Sequence, residues 1–168
     1  MPKRALTSYE IACLAALAVV AAMVVAMILY ENAVAEANPN PYLSDGALSD
    51  AQAKSIDVRL DLAKILIAWA IAVIGATGFF LKLNVERGLP IRRIDLLISF
   101  AIVLLCVWSL FFGHLGIDKI SQILALDQFP IRDRDVRQVL RHQYLAGLAA
   151  IGLFGFHLFQ FFWARREE

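Results

Sequence analysis

Three histidines come nearest to chemistry in this 168-residue chain. His114 and His142 stand at neighbouring ends of two apolar stretches, an arrangement that admits axial ligation of a haem or a shared metal ion. A carboxylate-assisted metal site would further need Asp118 or Asp135. Nothing in the spacing demands either group, since the first two apolar stretches lack histidine and no C-x-x-C-H sequence occurs. His157 is different, because it lies inside an apolar stretch with Gln160 one turn away. A polar side chain in such surroundings needs a partner or a wet cavity. Thr77, Ser99 or a backbone carbonyl can satisfy it, so His157, Gln160, Thr77 and Ser99 form the candidate intramembrane polar site. Its expected role is an interhelical hydrogen bond, with a proton or ion path as the alternative. Against a path, Glu10, Asp61, Lys64 and Asp95 all fall at the ends of the apolar stretches and none within them.

Catalytic patterns are missing from the sequence. No H-E-x-x-H or G-x-x-x-x-G-K occurs, and no serine, cysteine or histidine stands in a pattern that suggests a nucleophile with its base. Cys13 and Cys106 fall at different depths of different apolar stretches, so a disulfide between them is not expected, and they read as small packing residues. We therefore expect no enzymatic activity, no bound cofactor and no metal. A net charge of +1 offers no basic stripe, and no nucleic-acid partner is expected.

Four apolar stretches must position these residues: 11–30, 65–81, 96–113 and 144–163, none containing Asp, Glu, Lys or Arg. A hydrocarbon core of about 30 Å needs roughly 17–25 apolar residues as a helix, so each stretch can span it. Composition agrees: 60% of residues are apolar and 18% charged, with a mean hydropathy of +0.66. The expectation is an all-α polytopic membrane protein. It is a single four-helix bundle over residues 1–168, with spans near 9–31, 60–83, 95–114 and 142–164. The first stretch reads as a retained span, because its apolar run exceeds the roughly 7–15 residues of a signal-peptide core. Short segments carry Lys3, Arg4, Lys82, Arg87, Arg92, Arg93, Arg165 and Arg166 on one side. The basic residues of the other side are spread over loops about twice as long, and the first of these is acidic, so both termini are expected inside. With no organellar presequence, a prokaryotic plasma (inner) membrane is the expected location.

Helices 2–4 are expected to project beyond the bilayer on one side, through extensions near 49–60, 115–126 and 131–142. Ser49-Asp50-Ala51-Gln52 reads as a capping box that starts the second helix. Asp57, Arg59, Asp61 and Lys64 on one extension, and Arg132, Asp133, Asp135, Arg137 and Arg141 on another, can pair into an outer charge network or remain a solvated face. Small residues recur where helices can meet in lipid: Ala18, Ala22 and Ala26, then Ala68, Ala72 and Ala76 beside Gly75, then Gly152 and Gly155. The first two stripes predict tight packing of the first helix on the second.

Three functional readings follow. The first is a non-catalytic oligomeric or accessory subunit whose partners are the bilayer and other membrane subunits. The second is an oligomeric pore with His157, Gln160, Ser99 and Thr77 on a shared axis. The third is a two-histidine haem or metal protein built on His114 and His142.

Overall fold

The computed structural model describes residues 8–37, 50–88, 91–125 and 134–164. Among them the chain is all-helical, with α1 (Ser8–Ala37), α2 (Asp50–Glu86), α3 (Arg93–Ala125) and α4 (Arg134–Ala164), and without a strand. Each helix has 30 residues or more, or at least roughly 45 Å at 1.5 Å per residue. Two described stretches, Ala53–Glu86 and Arg93–Gln122, are long and apolar enough to cross a membrane. The described apolar part of α1, Glu10–Ala26, is shorter, and α4 carries Gln143, His157 and Gln160 along its length.

Local chemistry explains the junction between the two longest helices. At the end of α2, Gly88 adopts φ +65°, and its N–H donates to the Val85 carbonyl (3.0 Å) while Arg87 N–H donates to Leu83 (3.1 Å). A left-handed residue here turns the chain out of the helix and satisfies terminal carbonyls, and glycine does so without a Cβ penalty. Seven residues after Gly88, the Asp95 carboxylate accepts the N–H of Arg92 (3.0 Å), and Asp95 N–H donates to the Arg92 carbonyl (3.0 Å). An acid in the first turn also complements the positive end of the helix dipole.

Burial along the helices follows a 3.5-residue period. On α3 the residues Asp95, Ser99, Ile102, Cys106, Ser109, Gly113, Gly116 and Ile120 are all buried, at alternating spacings of four and three. On α4 the same alternation gives Val136, Val139, Gln143, Ala146, Ala150, Leu153 and His157, and on α2 it gives Ala63, Leu66, Ala70, Val73, Thr77, Phe80 and Asn84. This is the period that keeps one stripe of a helix facing its neighbours over many turns. Contacts are most extensive between α3 and α4, then between α2 and α3. The main core joins Ala70 and Val73 of α2, Ile98, Ile102 and Cys106 of α3, and Ala150 and Leu153 of α4. A smaller cluster of Ile56, Ile120 and Val136 closes the end where α2 begins.

Helix α1 joins through Cys13, with Ala16 and Leu17 packed against the same core. It touches α3 and α4, and among the described residues it makes no close approach to α2. This corrects the expected pairing of the first two helices. The apolar stripe of α1 that meets the chain is the one through Cys13 and Leu17, whereas Ala18, Ala22 and Ala26 lie on its opposite, exposed face. Ala68 and Ala72 of α2 are exposed in the same way, with Ala76 half-buried.

Replacing Gly88 with alanine should cost about 1 kcal/mol of stability, the penalty for a Cβ in the left-handed region. Thermal unfolding of the purified protein measures it, and an unchanged midpoint would mean that the turn does not need this conformation.

Candidate functional site

Polar side chains enter the buried stripes at two levels. The first level is built on Gln143 of α4, which is 0% exposed. Its Nε2 donates to the backbone carbonyl of Ala63 on α2 (2.8 Å). Its own backbone carbonyl accepts the hydroxyl of Ser109 on α3 (2.9 Å). One residue therefore ties three helices together. Two glycines make room for it. A Cβ at Gly113 would stand 2.5 Å from Gln143 Nε2 and 2.9 Å from its Cδ, and one at Gly147 would stand 3.2 Å from Ser109 Oγ. In an apolar interior each such bond replaces an unsatisfied donor, although its measured worth in membrane proteins averages only about 0.6 kcal/mol.

Beside this level, His142 stacks on Phe112 at 4.8 Å between ring centroids, and Phe112 stacks on Trp108 at 5.7 Å. His142 is buried, while His114, next to Gly113, is exposed. The two histidines that the sequence admits as an axial pair thus occupy different surroundings. Among the described residues no group of three or more His, Cys, Asp or Glu side chains is placed to hold a metal ion.

The second level contains three of the four polar residues chosen from sequence. His157 is 1% exposed and meets the ring of Phe80 edge-on at 5.6 Å. Thr77 and Ser99 are buried and line one groove between α2 and α3. The Thr77 hydroxyl donates to the carbonyl of Val73 in its own helix (2.8 Å), so its proton goes to the backbone and not to an imidazole. Gln160 is half-buried. Asp95 is buried too. Reasoning from sequence passed over Gln143, Ser109 and Asn84. Their shared signal is the alternation of three and four residues that places each on a buried stripe.

On the extension of α2, Lys64 pairs with Asp61 of the same helix at 3.5 Å, both side chains well exposed. Asp57 and Arg59 of α2 and Arg141 of α4 are also exposed. Arg132 and Asp133 lie outside the described residues, as do the side chains of Asp135 and Arg137. The glycines expected at helix contacts, Gly75, Gly152 and Gly155, are exposed, and a Cβ at any of them would meet nothing within 4 Å.

The arrangement joins helices and holds polar groups out of solvent. No family model matches the chain, and no curated protein or solved structure matches it.

Ser109→Ala should cost about 0.6 kcal/mol, the average for one interhelical hydrogen bond in a membrane protein. Ser109→Leu should cost at least twice that, because Gly147 faces the site at contact distance. Denaturant titration of the two variants tests this, and equal costs would refute the close approach of α3 to α4.

Proposed function

We propose that the chain is a non-catalytic integral membrane protein of four spans that serves as a subunit of a larger membrane assembly. The observation that carries this reading is the outward surface. Large apolar side chains stand exposed along all four helices, among them Leu29, Trp69, Phe79, Phe100, Phe111 and Phe159. A water-soluble monomer rarely leaves contiguous apolar surface of this kind, and lipid is the solvent in which it costs nothing. Within that surface run the open stripes of Ala18, Ala22 and Ala26 on α1, Ala68, Ala72 and Gly75 on α2, and Gly152 and Gly155 on α4. Small residues turned toward lipid give the chain itself no packing, but they let a neighbouring helix backbone come close. The density of Arg and Lys near the 87–93 turn and the chain ends supports a reading with both termini inside, in a membrane we take to be a prokaryotic plasma membrane.

No observation favours a pore over this reading. Thr77, Ser99 and His157 are each less than a tenth exposed within the single chain. The haem or metal alternative has the exposure of His114 against it.

Extracted gently from its membrane, the particle should hold more than one 18.7 kDa chain by native mass spectrometry. Gly152→Leu should reduce it to a single chain while leaving that chain's thermal midpoint unchanged, since open space surrounds the position. A wild-type particle containing a lone chain would refute the assembly role. Cysteines placed at Asn40 and Arg87 should label from opposite sides of sealed cells, and labelling of both from outside would overturn the four-span topology.

A further inference from the structure

Between α2 and α3 lies a groove of about 480 Å³ lined by Ile74, Gly78, Leu81, Leu96, Phe100 and Val103, with Thr77 and Ser99 among the lining residues. Its size falls within the roughly 300–1,000 Å³ of small-molecule sites. The two hydroxyls are not equivalent. Thr77 donates to its own helix, whereas Ser99 Oγ, in a residue only 3% exposed, has no hydrogen-bond partner. A buried hydroxyl left unsatisfied is costly, and one on an apolar groove is suited to an incoming acceptor.

Charge marks one end of the groove. From Leu81 and Leu96 the lining runs inward by seven residues on each helix, to Ile74 and Val103, which is roughly 10 Å at 1.5 Å per residue. The Leu81 and Leu96 end lies toward the α2–α3 turn, where Arg87, Arg92 and Arg93 are exposed. A molecule fitting this layout has an anionic head, then an oxygen acceptor, then a hydrocarbon chain. A glycerophospholipid carries its ester carbonyls between phosphate and acyl chains in that order.

We propose that this groove is a binding site for one anionic phospholipid. The phosphate meets the arginines at the turn, an ester carbonyl accepts the Ser99 hydroxyl, and an acyl chain lies along Gly78 toward Val103. The absence of a side chain at Gly78, where a Cβ would meet nothing within 4 Å, keeps the channel open. Basic residues at the inner face of a membrane attract acidic lipids. The site rests on the membrane reading above.

Native mass spectrometry with added phosphatidylglycerol or phosphatidylcholine of identical chains tests it. Wild-type protein should retain one phosphatidylglycerol in clear preference to phosphatidylcholine. Arg93→Gln should lower that preference about fivefold, the share of one cation at a membrane surface. Ser99→Ala should weaken retention of both lipids, and Gly78→Leu should abolish the bound lipid while the protein stays folded by circular dichroism. Equal retention of the two lipids by wild-type protein, or undiminished retention by folded Gly78→Leu, would overturn the site. Partition of the protein into the aqueous phase without detergent would instead overturn the membrane reading on which it rests.

Discussion

Gln143 reaches from α4 to the backbone carbonyl of Ala63 on α2, and it does so past a position on α3 where residue 113 has no side chain. The same residue receives the Ser109 hydroxyl on its own carbonyl. Much of the geometry of the three long helices follows from this crossing. A planar amide tolerates little rotation or sliding before its donor loses the acceptor, so the bond fixes the register of α2 against α4. Ser109 then sets the height of α3 against α4, with Gly147 allowing the approach. The stacked Trp108, Phe112 and His142 rings extend the contact in the adjoining turn.

The heptad alternation gives this crossing its reach along the helices. In a water-soluble coiled coil the alternating positions are the apolar ones, and burying them drives association. Here the outer faces are just as apolar as the inner, so apolar burial does little to choose a face. The buried stripes include small and polar residues: Ser99, Ser109, Gly113 and Gly116 on α3, Ala146, Ala150 and His157 on α4, Ala63, Ala70 and Thr77 on α2. Small residues admit close backbone approach and dispersion contacts, and the Ser109 and Thr77 hydroxyls donate to backbone carbonyls inside the bundle. Helix α1 follows the same spacing through Cys13 and Leu17 but contributes little beyond it. Among the described residues it attaches to α3 and α4, which leaves outward faces of α1 and α2 open.

How much of this was legible in the sequence depended on which residues carried the signal. Charge-free runs bounded by Arg, Asp and turn residues marked the helices, because backbone hydrogen bonding and lipid-length apolar runs leave few alternatives to helix. The burial of His157, Thr77 and Ser99 was legible as well, since an isolated polar residue in an apolar run has few places to go. The small-residue stripes misled about α1 and α2. Spacing of four aligns Ala18, Ala22 and Ala26 on one face, yet it does not say whether that face turns to its own chain or away from it. The Gln143 crossing was hidden for a different reason. Gln143 sits at the very start of the expected 142–164 span, two residues from charged Arg141, where a polar side chain draws no notice; only the three-and-four spacing shared with Ala146, Ala150 and His157 marks it as internal.

The most direct test of this account is a double-mutant cycle of Gly113→Ala and Gln143→Ala, measured as unfolding free energy. Alone, Gly113→Ala forces the new methyl against the Gln143 amide and should cost roughly 1–3 kcal/mol, as overpacking does. With Gln143 already shortened, the methyl has room, and the second cost should largely vanish. Coupling well above the roughly 0.5 kcal/mol expected of independent sites would establish the crossing. Additive costs would contradict it.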